Sequence, residues 1–330
     1  MMKIAYFFHD QQHAALRHYA QQLGVRYAVT TPQNFCYNGS QYLPPWHYMT
    51  LHALQQDMQD FGMDFQVLEG VDFLDSAKLG LPDRDEAIQH FCTLLQNMSR
   101  LKIRTVCYNW MPVFGWMRSR KNIAGPGGCL VTGFSYQDVK DCPDTEFGKI
   151  SADQLWTNLE YFLKRTVPVA EKYGIQMAIH PDDPPVDSIA GIDRILTSAD
   201  AMEQVTRLVD SPVNGITMCQ GSFAAMGEDI PQTIRRFGKA HKIFFAHFRD
   251  ICGTADNFVE TFHHQGQTDM YQAMKAYYEV GYDGLIRPDH VPTMYGDDES
   301  NPSYAVTGNL FATGYMLGLM EAAEKEMNAR

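Results

Sequence analysis

The sequence predicts an α/β chain closed into a (β/α)8 TIM barrel, with extended loops at the C-terminal face of its strands. Two observations carry that prediction. Short apolar runs suited to buried parallel strands recur eight times, each followed by a stretch with helical periodicity, and the links between most of them are short. The runs are residues 3–8, 26–30, 64–69, 103–109, 175–180, 215–219, 242–247 and 284–287. Amphipathic helices are expected over 13–23, 46–61, 84–101, 152–173, 199–209, 230–239 and 270–280, and a last helix over 305–328 closes the ring. Two stretches break the rhythm. Residues 116–147 read as a long loop after the fourth strand, and 249–268 form a second irregular segment after the seventh. No linker, repeat or low-complexity segment interrupts the pattern, so residues 1–330 are expected to form one catalytic domain.

Composition narrows the class. A formal charge of −12, from 27 basic against 39 acidic residues, disfavours nucleic acid, whose phosphates require a dense Lys/Arg surface. Nothing approaches the roughly eighteen consecutive apolar residues of a membrane helix. The start, Met1 to Phe8 followed by His9 and Asp10, lacks the basic and long apolar regions of a signal peptide, so a cytoplasmic protein is expected. Seven cysteines from Cys36 to Cys252, without a CxxC pair, read as reduced thiols rather than a disulfide framework.

The unusual polar residues fall at strand ends. The fifth run ends in His180-Pro181-Asp182-Asp183-Pro184-Pro185, the sixth in Cys219-Gln220-Gly221-Ser222, the seventh in His247-Phe248-Arg249-Asp250 and the eighth in Arg287-Pro288-Asp289-His290. Barrel topology brings the C-terminal ends of strands to one mouth. His180, Cys219, His247 and Asp289 therefore converge as imidazole, thiolate and carboxylate donors for a metal. A single His or Cys at a strand end carries little weight; their joint placement carries the reading. The thiolate suits zinc, and the other donors tolerate manganese, iron or magnesium.

These segments, with Cys107-Tyr108-Asn109-Trp110-Met111-Pro112-Val113-Phe114, resemble the signature segments of the mannonate dehydratases, in order along essentially the whole chain. The resemblance implies a xylose-isomerase-like barrel, a divalent ion with Mn2+ foremost, and a hydro-lyase of hexuronate catabolism that converts D-mannonate to 2-keto-3-deoxygluconate. It also implies His180, Cys219, His247 and Asp289 as metal ligands. The catalytic His and Tyr fall on His290 and, within Asn301-Pro302-Ser303-Tyr304, on Tyr304. Phe258-Val259-Glu260-Thr261-Phe262-His263 is similar to the family loop that reaches over the site, which makes His263 a substrate contact. Two departures lie close by. Gly115 stands where the family has Asp before the Trp, and Val291-Pro292-Thr293 follow His290 in place of the usual Gly.

Dehydration beside a carboxylate needs a sink for the second negative charge, which a Lewis-acidic ion supplies, and an acid and a base, for which His290 and Tyr304 stand without a choice between them. Arg287 has two readings: a fork for the substrate carboxylate, or a rim ion pair with Asp182 or Asp183. Asn109 is expected to bond a substrate hydroxyl or tie down its loop. Trp116 is the best candidate for a water-excluding wall, whereas Tyr108, Trp110 and Phe114 read rather as core. Asp182 and Asp183 are candidates to orient a ligand imidazole, with Asp183 accounted for as a turn residue before Pro. His9 and His13 read as solvated.

Three rivals remain. A dehydratase of another aldonic or uronic acid shares the mechanism. A sugar isomerase or epimerase on the same barrel resembles a site of two Glu with Asp and His, where this chain has His180 and Cys219. A non-catalytic binding protein would not need His290 and Tyr304. The expected partner is a small sugar acid, with no nucleic acid or membrane, and analogy with acidic barrels suggests a homodimer.

Overall fold

In the computed structural model, which describes residues 2–8, 14–36, 39, 41–300 and 302–329, eight parallel strands close into a ring. They are β1 (Lys3–Phe8), β2 (Tyr27–Thr30), β3 (Asp64–Glu69), β4 (Thr105–Asn109), β5 (Gln176–His180), β6 (Asn214–Cys219), β7 (Ile243–Phe248) and β8 (Leu285–Pro288), each paired with its sequence neighbours and β8 with β1. Every expected strand is present within two residues of its expected ends. His9, His13 and Asn301 lie outside the described residues.

Helices follow the expected periodicity and end where their caps dictate. Ala152–Tyr173 starts at a capping box, Ser151 with Gln154, and stops at Gly174, whose φ of +67° reverses the chain in the left-handed region. Apolar faces of the helices pack on the outside of the barrel around Phe65, Phe91, Tyr108, Trp110 and Phe162. Inside the ring a second cluster of smaller residues, Ala5, Val29, Val67, Cys107 and Ala178, is plugged by Phe244, Phe245 and Leu285. Tyr108 and Trp110 are therefore core, with Trp110 Nε1 donating to the Leu155 carbonyl at 3.1 Å. Among the described residues no helix is long and apolar enough to cross a membrane.

Residues 116–147 are not a long loop. They contain the hairpin Arg120–Ala124 and Leu130–Ser135, which pairs with a second hairpin, Ile251–Thr254 and Asn257–Glu260, from the other irregular stretch. The result is a four-stranded antiparallel sheet built from the β4 and β7 loops. The reason it escapes a local reading is physical. Arg120–Ala124 has little burial on either face and so no alternation, and the second partner of Leu130–Ser135 comes from a segment more than a hundred residues away. Phe134 and Phe258, with ring centroids 6.1 Å apart, anchor the sheet.

Candidate active site

Strand register lays out the mouth. Asn109 pairs with His180, Cys219 with His247, and His247 with Arg287, so five neighbouring strands deliver these side chains to the mouth. His180, Cys219 and His247 each present a donor atom within 4.8 Å of the others. His180 Nε2 is 3.3 Å from His247 Nδ1, which is 3.5 Å from Asp289 Oδ2. His180 Nδ1 donates to the Pro181 carbonyl at 2.6 Å, which turns the Nε2 lone pair toward the cluster.

A buried ionic lattice surrounds these donors. Arg118 reaches Asp183 (2.6 and 3.0 Å) and Glu260, and Arg249 reaches Asp183 (2.6 Å), Glu260 (2.5 Å), Asp289 (3.1 Å) and the Cys219 sulfur (3.4 Å). Gly221 leaves room for Arg249, because a Cβ there would lie 2.7 Å from Cζ of the guanidinium. Arg287 forks onto Glu69 (3.0 and 2.7 Å) and gives Nη1 to Asp289 (2.7 Å). Burial would raise the Cys219 thiol, yet Arg249 and His180 outweigh it and hold the thiol well below its usual value. For Asp289, too, burial is outweighed, by Arg287 and His290, and the carboxyl stays ionised.

The donor set fits a divalent cation on two counts. Two imidazoles, a sulfur and a carboxylate are a recognised ligand combination. Charge points the same way. Three guanidiniums (Arg118, Arg249, Arg287) face four carboxylates (Asp183, Glu260, Asp289, Glu69), so with Cys219 as thiolate and His247 neutral, as a metal ligand must be, the lattice carries two uncompensated negative charges. A dication balances them, whereas leaving them buried and unpaired is costly. Without a cation, burial of the His247 imidazole is outweighed by Glu69 and Asp289, which hold it well above its usual value instead.

His290 follows Asp289 with a φ of +42°, a conformation that a non-glycine residue holds only when its surroundings impose it. Its Nδ1 lies 3.0 Å from Glu260 Oε1, its ring 4.9 Å from the Trp116 ring, and Tyr304 stands edge-on at 5.8 Å. The Val291-Pro292-Thr293 departure has a structural role here. Val291 N donates to the Ser303 carbonyl (2.9 Å), and Thr293 exchanges both backbone bonds with Leu130 (2.9 and 2.8 Å). The segment thus ties the antiparallel sheet to the stretch that carries Tyr304.

Other expectations meet a different arrangement. Asn109 Oδ1 accepts from Lys78 Nζ (3.1 Å) and Met111 N (3.0 Å), the loop-tying alternative. Arg287 makes no rim pair with Asp182 or Asp183; Glu69 and Asp289 occupy its fork. Asp183 is more than a turn residue, since it is the shared anion of Arg118 and Arg249. Asp182 instead accepts from Leu196 N at 2.8 Å, with Arg194 at 3.8 Å. His263 is buried, gives Nε2–H to the Phe248 carbonyl (2.6 Å), and burial lowers its pKa to about 4, so it is neutral. Trp116 is 39% exposed and lies over the Arg118 guanidinium at 5.1 Å. Sequence reasoning gave no role to Glu69, Arg118 or Glu260. Glu69 carried a usable signal, a charged residue ending an apolar strand run; Arg118 and Glu260 are placed by the hairpin pairing alone.

A closed parallel barrel with this cluster at its C-terminal mouth has the xylose-isomerase-like TIM-barrel fold. A D-tagatose 3-epimerase-like protein shares the fold, with a TM-score of 0.63 at 13% identity over 99% of this chain and 100% of its own. The family is narrower. The D-mannonate dehydratase family model matches residues 2–149 and 144–330, and the chain belongs to that family of hydro-lyases. The mannonate dehydratase of Thermotoga maritima is 34% identical over 315 residues, 85% of this chain and 87% of that protein. A crystal structure of mannonate dehydratase from Streptococcus suis serotype 2 superposes with a TM-score of 0.89 at 32% identity, covering 99% of this chain and 95% of that one.

Proposed function

We propose that the chain removes water from D-mannonate to give 2-keto-3-deoxy-D-gluconate, with His180, Cys219, His247 and Asp289 holding a divalent ion, Mn2+ foremost. The observation that carries this reading is the convergence of those four donors with His290 and Tyr304 at one mouth, in a chain of this family. When bound, the ion supplies Lewis acidity for the charge that grows on the substrate carboxylate as the C2 proton leaves.

The side chains supply the proton transfers. Burial, the larger cause, and Asp289 push the Tyr304 phenol well above its usual value, so it is the group with a proton to give to the departing 3-hydroxyl. His290 then takes the C2 proton. His290 Nδ1 lies 3.0 Å from Glu260 Oε1 and 3.2 Å from Arg118 Nη2; with the Nδ1 proton given to the nearer carboxylate, Nε2 is left as the basic nitrogen. Trp116 packs on the His290 ring and limits water at the reacting carbons, and the neutral His263 behind β7 offers Nδ1 as an acceptor toward a substrate hydroxyl. Arg287 acts through its two carboxylates. The product enol becomes the keto acid by taking a proton at C3. This reading places the work in the cytoplasm, with a small sugar acid as partner.

A second substrate, another aldonic or uronic acid, is favoured by Gly115, which at φ +56° leaves open space beside Trp116 where the family has a carboxylate. Turnover on a panel of aldonic and uronic acids, by protein stripped of metal and reloaded with manganese or magnesium, decides between them. Metal-dependent product from D-mannonate supports the first reading, product from another acid alone supports the second, and no product from any acid with metal bound rejects both.

A further inference from the structure

Resting on the metal reading above, we infer that Glu69 is a positioning residue: it sets the tautomer of His247 and, through Arg287, the seat of Asp289, and so governs how tightly the mouth holds a divalent cation. Glu69 ends β3, which stands across the ring from β7, and its Oε1 lies 3.2 Å from His247 Nε2. The other ring nitrogen, Nδ1, faces His180 Nε2 and Asp289 Oδ2. An imidazole has one proton to place when neutral. The Glu69 carboxylate beside Nε2, close but off the line of a hydrogen bond, favours the proton there by its charge, which leaves the Nδ1 lone pair pointing at the cluster.

The same carboxylate reaches a second ligand. Arg287 binds both oxygens of Glu69 with one edge of its guanidinium and gives Nη1 to Asp289 Oδ1 at 2.7 Å. Glu69, Arg287 and Asp289 thus form a buried strut, and Arg287 is held in place by the acid at its far end.

A rival use of these atoms exists, because Glu69, Cys107 and His247 also present donor atoms within 4.8 Å of one another. Two contacts argue against a cation there. Both Glu69 oxygens already lie on the Arg287 guanidinium, so a cation would share an oxygen with a fixed positive charge, and the Cys107 sulfur accepts from the Thr217 hydroxyl at 3.1 Å.

The test is manganese affinity, read by competition with a chelating dye, for the wild type, Glu69→Gln, Glu69→Ala, His247→Ala and the combined Glu69→Ala/His247→Ala variant. Loss of an outer partner of a ligating histidine weakens binding about 10- to 100-fold. Glu69→Ala should show that loss and Glu69→Gln a smaller one, because the amide oxygen keeps an acceptor dipole beside Nε2. The combined variant should lose less than the two single losses together. Wild-type affinity in Glu69→Ala, or fully additive losses, would overturn the inference while the metal site stands. If the Glu69 variants do not fold, long-range proton–nitrogen spectra of the zinc-loaded wild type decide: Nε2 protonated with Nδ1 on the metal supports the inference, and the reverse overturns it. A wild type that binds neither cation, or a His247→Ala variant that binds manganese like the wild type, removes the metal reading and this inference together.

Discussion

Asp183→Ala removes the anion that Arg118 and Arg249 share, and the structure sets the size of the effect. Asp183 is almost wholly buried and accepts from Arg118 at 2.6 and 3.0 Å and from Arg249 at 2.6 Å. Without it, Arg118 remains buried with Glu260 as its one carboxylate, and Arg249, which keeps Asp289, converges on the same Glu260 oxygen, Oε1. Removing one partner of a buried ion pair destabilises by about 3–5 kcal/mol. A chain of 330 residues unfolds with an entropy of about 0.7 kcal/mol per kelvin, so the melting temperature should fall by about 4–7 °C. Thermal unfolding followed by circular dichroism at neutral pH measures it. The pH dependence adds a second check. Burial opposes ionisation of Asp183, but Arg118 and Arg249 outweigh it and hold the carboxyl below the usual range. Its stabilisation is therefore complete above the ordinary aspartate value and is lost as pH falls through the depressed folded value. The gap between wild type and variant should be constant from neutral pH down to the ordinary aspartate range and close only in stronger acid. A melting temperature within about 1 °C of wild type would refute the premise that this carboxylate offsets two buried charges.

Other perturbations separate chemistry from scaffold. His290→Asn and Tyr304→Phe should each abolish turnover while metal content, read by elemental analysis, stays near wild type; full activity in both rejects the role assignment. Cys219→Ser should lower metal retention, and unchanged content would make the thiol a packing residue. Asp250→Asn probes the opposite sign of pKa shift: burial raises the Asp250 carboxyl to about 6, so its ionisation destabilises the fold as pH rises from the usual aspartate range through about 6. The asparagine variant should flatten the melting temperature across that window, and an unaltered slope would show that Asp250 does not titrate there.

Much of the barrel and of the donor cluster at its mouth was legible without coordinates, and the reason is locality. An apolar run or a helical period is written in consecutive residues, so β1 to β8 could be placed from the chain alone. Because every strand of a parallel barrel delivers its C-terminal end to the same mouth, His180, Cys219, His247 and Asp289 could be gathered from their strand positions. Long-range pairing has no such local record. The sheet that joins 120–135 to 251–260 joins segments whose own patterns are weak, and it alone brings Arg118 and Glu260 over the mouth. The partners of buried charges belong to the same class. Arg287 read equally well as a substrate clamp or a rim residue, and Asp183 as a turn residue, because a guanidinium or carboxylate carries no sign of which opposite charge will be within 3 Å. Side-chain chemistry and strand order decided which atoms meet at the mouth; only tertiary packing, through desolvation and mutual Coulomb pairing, decided which of them are neutralised by the lattice and which are left for a cation and a substrate.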